Sequence, residues 1–288
     1  MRTPGLAVLL LVACGPSAPP PPVRGAAAVV RIATWNVHDL FDEVDQLGPP
    51  GPLDDVPGAA AVEAKLGRIA AVLVALDADV ILLQEVEDLS LLARLAARSG
   101  YPAARLLTGN DPRGIDVALL SRLPVVAYQG HAGDVGLDGR LLWPRDAVEA
   151  VLDAAGWRLV LLGTHLSSYL SDPSGARRAQ QAARLRALAD GASRRWGAAL
   201  VVVGGDLTAE ADAPALAPLL SDGGWLDVGA GLGPGGWTWS DGASRRALDH
   251  LVLRAADADA VLSVAVVGGS EVAAASDHRP IVLDLLLR

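Results

Sequence analysis

The sequence predicts an α/β layered fold in which buried strands alternate with helices. Three observations carry that expectation. Short apolar runs of strand length recur along the chain, as at Val80-Ile81-Leu82-Leu83 and from Val117 to Leu120. Between them lie stretches with apolar residues at helical spacing, such as Val62, Leu66, Ile69 and Leu73. And a polar residue repeatedly follows the last apolar residue of a strand: Asn36, Glu85, His165 and Asp206. A buried sheet holds such positions rigidly at one rim, where a site can be assembled.

The elements follow in order. Arg2 supplies a short positive region and Leu6 to Val12 an apolar run too short to span a bilayer. The run ends at Leu11-Val12-Ala13-Cys14, which resembles a bacterial lipobox, so residues 1–14 read as a lipoprotein-type signal peptide with Cys14 as the lipidated residue. Residue 15 is Gly, and the choice of membrane stays open. The expected location is extracytoplasmic: membrane-anchored at the outer membrane or cell surface, or secreted. Residues 15–28, with Pro19-Pro20-Pro21-Pro22, read as a stiff tether, and the domain spans 29–288.

Val29 to Ala33 reads as a strand leading into Thr34-Trp35-Asn36, and 42–60 as a loop rich in Asp, Gly and Pro. A helix carries Val62 to Leu73, and the strand at Val80 ends at Gln84-Glu85. Leu91 to Ala97 reads as helix, Val117 to Leu120 as strand, and Trp157 to Thr164 as a longer strand ending at His165. Residues 175–195 form a helix whose Arg177, Arg178, Arg184, Arg186, Arg194 and Arg195 are expected on a solvated face. Ala199 to Val203 ends at Gly204-Gly205-Asp206, and strands at Leu248 to Leu253 and Ile281 to Leu286 close the chain.

Composition narrows the classes. The chain has 288 residues, 51% of them hydrophobic, which supports one sizeable core and argues against disorder. A net charge of −9 argues against a protein that coats nucleic acid, though not against a local basic cleft. A single Cys rules out an intrachain disulfide framework, and there is no zinc-type Cys/His cluster. Seven Trp beside one Phe and three Tyr suggest that Trp143, Trp225 and Trp237 fill aromatic core positions.

As chemical groups, Glu85 and Asp277 are hard carboxylate ligands suited to Mg²⁺, and Asn36 adds an amide oxygen. His165 and His278 are potential donors to a phosphoryl oxygen. Asp206 can orient or deprotonate a water, and Asp249 can hold an imidazole protonated. Phosphoryl transfer needs these parts: charge neutralisation, a positioned nucleophile and donors around the equatorial oxygens.

Seven motifs make the reading specific. They are Thr34-Trp35-Asn36-Val37, Leu83-Gln84-Glu85-Val86, Gly114-Ile115-Asp116-Val117-Ala118-Leu119-Leu120-Ser121-Arg122, Thr164-His165-Leu166, Gly205-Asp206-Leu207, Arg246-Ala247-Leu248-Asp249-His250 and Ser276-Asp277-His278-Arg279-Pro280. In this order they resemble the endonuclease/exonuclease/phosphatase superfamily, the deoxyribonuclease-like metal-dependent phosphoesterases. The resemblance covers roughly 29–288 and implies a four-layer α/β sandwich of two packed β-sheets flanked by helices. It implies Glu85 as main metal ligand, aided by Asn36 and Asp277, with Mg²⁺ or Mn²⁺ as cofactor. His278 would contact the scissile phosphate with Asp249 as its partner, Asp206 would activate the water, and His165 would donate to the phosphate. Asp116 and Arg145 would face substrate.

Two departures stand out. Thr208 occupies a position where the family usually has Asn, and His38 one where some nuclease members carry Asp. Trp239, in Trp237-Thr238-Trp239-Ser240 beside the Asp249 motif, is a further candidate for substrate contact. The expected activity is hydrolysis of a phosphodiester, with nucleic acid as first substrate class. The alternatives are a phospholipid, inositol-phosphate or sugar-phosphate substrate, and a non-catalytic surface lipoprotein. No protein partner is implied, and a monomer is expected.

Overall fold

The computed structural model describes residues 27–44, 56–198 and 200–288. The signal peptide, Cys14, nearly all of the tether and the centre of the 42–60 loop lie outside the described residues.

Two six-stranded sheets pack face to face. The first contains β1 (Ala28–Leu40), β2 (Val80–Val86), β3 (Ala103–Leu106), β4 (Asp116–Ser121), β13 (Val261–Val266) and β14 (Ile281–Leu287), in the order β13-β14-β1-β2-β4-β3. The second contains β5 (Val125–Gly130), β6 (Ala147–Ala154), β7 (Trp157–His165), β8 (Leu200–Asp206), β9 (Trp225–Asp227) and β12 (Asp249–Arg254), in the order β5-β6-β7-β8-β12-β9. A two-stranded ribbon, β10 (Trp239–Ser240) with β11 (Arg245–Arg246), projects beside them. Helices α1 (Ala59–Leu76), α2 (Leu89–Ser99) and α5 (Ser270–Ala275) flank the first sheet. Helices α3 (Ala176–Trp196) and α4 (Ala217–Leu220) flank the second. This is the four-layer sandwich that the motifs implied.

The central strands read as unbroken apolar runs because both of their faces are buried. In β2, Ile81 and Leu83 meet the helices, while Val80 and Leu82 meet the other sheet. In β7, Val160 and Leu162 pack under α3, while Leu159 and Leu161 face inward. Truncating a buried side chain such as Leu82 to Ala would cost about 2–5 kcal/mol. Leu82 reaches the opposite sheet because Gly163 and Gly204 leave room: a Cβ there would lie 2.6 and 3.1 Å from its methyl carbons. Helix α2 starts where Asp88 Oδ1 accepts the Leu91 N–H at 2.7 Å, and it ends at Gly100 with φ 75°.

The strands absent from the sequence reading, β3, β5, β6, β9 to β11 and β13, are mostly short, at sheet edges or broken in pattern. β6 carries a fully buried Glu149 at its centre, paired with Arg195 and accepting from Trp196. The arginine face of α3 is not simply solvated. Arg177, Arg184 and Arg186 pair with Asp138, Asp134 and Asp190, and Arg178 is 2% exposed. The expectation that Trp fills the core holds for Trp143 and Trp225, whereas Trp237 is only half-buried.

Candidate active site

Strand register assembles one half of the site. β7 and β8 run parallel with His165 opposite Asp206, and β8 and β12 run antiparallel with Asp206 opposite Asp249. Three ionisable side chains thus leave adjacent strands at one rim. The segment after α5 brings His278 to them. Trp35 Nε1 donates to the His278 carbonyl at 3.1 Å, Ser276 Oγ donates to the Asn36 carbonyl at 2.8 Å, and the His278 N–H donates to Ser276 Oγ at 2.9 Å.

His278 Nδ1 lies 2.7 Å from Asp249 Oδ2, and its Nε2 lies 3.8 Å from Asp206 Oδ2. Burial would push this imidazole down, but the Asp249 carboxylate, then Asp206 and Asp277, hold it up at about 10. It is therefore an imidazolium at neutral pH. Asp206 moves the other way: burial, reinforced by the charge of Asp249, raises its carboxyl to about 6 against the pull of His278. Asp206 Oδ2 also lies 3.3 Å from His165 Nε2 and accepts from Asn36 Nδ2 at 3.1 Å. Burial, followed by the charge of Arg145, drives His165 well below its usual range, so it is neutral. His165 Nδ1 and Asp249 Oδ1 are buried without a hydrogen-bond partner.

The other half is built on strained backbone. β2 bulges between Gln84 and Val86, and Glu85 sits in the bulge at φ 66°. The end of β1 carries His38 and Asp39 at φ 55° and 50°. Glu85 Oε1 accepts from Asn36 Nδ2 at 3.0 Å, and Oε2 accepts the Asp39 N–H at 2.8 Å. Burial alone would raise Glu85, and with His165 neutral the Asn36 amide and the Asp39 N–H are what lower it. Its neighbour Asp39 is pushed up to about 6 by burial and by the Glu85 charge, despite Arg113 at 2.9 Å. Asp277 Oδ1 lies 2.9 Å from His38 Nδ1, and Oδ2 accepts from Trp239 Nε1 at 2.9 Å. Burial raises Asp277, and His38 and His278 bring it below its usual value.

Two groups of residues suggest a metal. Asp206, Asp249 and His278 offer ligand atoms within 4.8 Å of one another. However, His278 is already committed through Nδ1 to Asp249 Oδ2 at 2.7 Å, an arrangement that suits a hydrogen-bond donor better than a ligand. Glu85, Asp39 and Asp277 are the better fit: hard carboxylates, one of them raised by burial and then by its like-charged neighbour, a repulsion that a divalent cation would relieve. Asn36 brackets the two halves, donating to both Glu85 and Asp206 while its Oδ1 accepts the His38 N–H.

A cleft of about 580 Å³ opens onto this rim, lined among others by Glu85, Arg145, His165, Asp206, Thr208, Trp239 and His278. Arg145 lies 2.8 Å from Asp111 and donates to the Leu166 carbonyl at 3.1 Å. Thr208, at φ 51°, holds Asp206 Oδ1 through its N–H at 2.8 Å and through its hydroxyl at 3.2 Å. Asp116 does not line the cleft. It accepts the Gly109 N–H at 2.7 Å, and burial raises it to about 7, so it anchors the loop that carries Asp111 and Arg113. Asp39, Arg113, Tyr169 and Arg246 join the site without having been singled out. Two signals were present: Arg246 opens the Asp249 motif, and Arg113 adjoins the Gly114-Ile115-Asp116 motif.

A model of the endonuclease/exonuclease/phosphatase family matches residues 33–278. No curated protein matches the sequence. Among solved structures, a Bacteroides thetaiotaomicron protein of that family is 15% identical with a TM-score of 0.64, covering 92% of this chain and 97% of that one. The human Nocturnin catalytic domain, solved with a bound sulfate anion, is 18% identical with a TM-score of 0.64, covering 92% and 98%. Sphingomyelinase C from Streptomyces griseocarneus is 19% identical with a TM-score of 0.59, covering 90% and 99%.

Proposed function

Because the chain belongs to the endonuclease/exonuclease/phosphatase family, and is thereby a metal-dependent phosphoesterase, we propose that it is an extracytoplasmic nuclease, tethered through Cys14 and using Mg²⁺. The observation that carries the chemistry is the buried placement of the His278 imidazole. The ring is locked to Asp249 at 2.7 Å and aimed at Asp206, with Glu85 joined to the same centre through Asn36. When bound by Glu85 with Asp39 and Asp277, a divalent cation supplies charge neutralisation at the phosphoryl group.

The chain's own residues supply the rest. Asp206, ionised above about pH 6, accepts a proton from the attacking water. Asn36 and Thr208 fix the orientation of that carboxylate. His278 donates from Nε2 to a phosphoryl oxygen, and Asp249 keeps its Nδ1 protonated. Neutral His165 supplies one ring N–H without adding repulsion toward the cation. Arg145 and Arg113 supply positive charge at the cleft wall.

Lipid phosphodiesters are the second reading. Leu170 favours them: it stands 94% exposed on the cleft rim, where an acyl chain or headgroup edge could meet it. The test offers plasmid DNA, single-stranded RNA, sphingomyelin and a phosphomonoester to the protein with Mg²⁺, Mn²⁺ or EDTA. Cleavage of nucleic acid that stops in EDTA and in His278→Ala supports the nuclease. Cleavage of sphingomyelin alone replaces the substrate. No turnover of any of the four, with folded protein, overturns both readings.

A further inference from the structure

A cavity of about 870 Å³ lies across the Trp239–Asp277 contact from the catalytic cleft, and of its lining only Asp277 enters the chemistry above. The two share a wall. Trp239 and His278 face the cleft, while their chain neighbours Ser240 and Asp277 face the cavity. The cavity's charged lining is cationic: Lys65 and Arg68, three apart on α1, with Arg279 and His38, against the one carboxylate of Asp277. In a chain of net charge −9, that local excess of positive charge runs against the background. Part of the wall is rigid. Arg279 Nη1 donates to the Gly235 and Trp237 carbonyls at 3.2 and 3.1 Å, and its guanidinium stacks on Trp237 at 4.2 Å. Arg245 stacks on the same ring at 4.8 Å. Lys65 donates to the His38 carbonyl, and Arg68 stands exposed at the mouth.

We propose that this cavity is a subsite for a second phosphate of the substrate, next to the one being cleaved. The inference rests on the phosphoesterase reading and deepens it. The enzyme would favour substrates with a further phosphate within reach, and a headgroup with a single phosphate would leave the subsite idle. Two sources carry this chemistry: the next phosphate of a nucleic-acid strand, and the polyphosphate of a small nucleotide.

The test uses Arg68→Glu, since Arg68 is exposed and touches none of the reacting groups. Bis(p-nitrophenyl) phosphate, which has one phosphate, should be hydrolysed at an unchanged rate. KM for a short single-stranded oligonucleotide should rise about tenfold, with a salt slope shallower by about one. A nucleoside triphosphate, run as competitor, identifies the source. A weaker Ki with unchanged oligonucleotide KM points to small nucleotides, and the reverse points to a strand. Calorimetric binding of inorganic tripolyphosphate in metal-free buffer separates the subsite from the activity. If no nucleic acid is cleaved but tripolyphosphate binds and Arg68→Glu weakens it, the nuclease reading fails and the subsite stands. Unchanged oligonucleotide KM, nucleotide Ki and tripolyphosphate affinity in Arg68→Glu overturn the proposal.

Discussion

The two halves of the site are made in different ways. Asp206, Asp249 and His165 leave neighbouring strands in register, are almost wholly buried, and receive His278 on a segment pinned to β1 by two hydrogen bonds. Glu85, Asp39 and His38 sit past the regular pairing, on a bulge and a strand end with positive φ, partly open to solvent. The first half holds an imidazolium between two carboxylates and keeps one negative charge when Asp206 is ionised. The second sets Glu85, Asp39 and Asp277 beside Arg113, Lys65 and His38, and there burial first and then the Glu85 charge raise Asp39. The contrast is one of geometry: the buried half is preorganised for proton movement, while on the proposed reading the strained half would hold the divalent cation.

The largest expected effect breaks the first half. His278→Gln keeps the shape but loses the imidazolium, and kcat should fall about 10²–10⁴-fold. A steady-state assay showing near-normal turnover would remove His278 from the mechanism. Next comes the second half. Wild type should gain thermal stability with divalent metal, about 2.7 kcal/mol at a hundredfold excess over Kd. In Glu85→Gln that gain should nearly vanish while the metal-free melting temperature stays close to wild type. An undiminished gain would place the ion elsewhere.

The pH profile sharpens the contrast. Asp206 must be ionised and His278 protonated, so kcat/KM should rise through about pH 6 and fall through about pH 10. In His278→Gln the alkaline limb should disappear, and its persistence would assign that limb to another group. The smallest effect is at Thr208, a β-branched residue at φ 51°. Asn tolerates that region, so Thr208→Asn should stabilise the protein by about 1 kcal/mol with activity kept or raised. Denaturant midpoints and the standard assay measure both, and a loss of activity would give the Thr208 hydroxyl a role of its own.

The same contrast explains what the sequence reveals. Asn36, His165 and Asp206 were legible because each follows an apolar run that only a strand buried on both faces requires, whereas Asp249 opens its strand and was legible through its motif. Glu85 was legible as a carboxylate where burial without a partner is costly. Asp39 was not, since β1 runs on through left-handed residues that no periodicity marks. β6 escaped notice because Glu149 and Asp153 interrupt its apolar pattern, and Glu149 is tolerated through His131 and through Arg195 and Trp196 from the end of α3. Arg178 read as surface, yet it is buried against Tyr169 and the Ser167 carbonyl, partners set by tertiary packing. The two-residue strands β10 and β11 carry too little pattern to announce themselves, although they deliver Trp239 and Arg246 to the cleft.

The central claim is the division of labour between the halves, and a Mg²⁺ titration of His278→Gln by calorimetry, with turnover measured on the same samples, tests it most directly. The account predicts binding at close to wild-type affinity together with turnover reduced about 10²–10⁴-fold. Loss of Mg²⁺ binding in this variant would contradict it, because the ion would then belong to Asp206, Asp249 and His278.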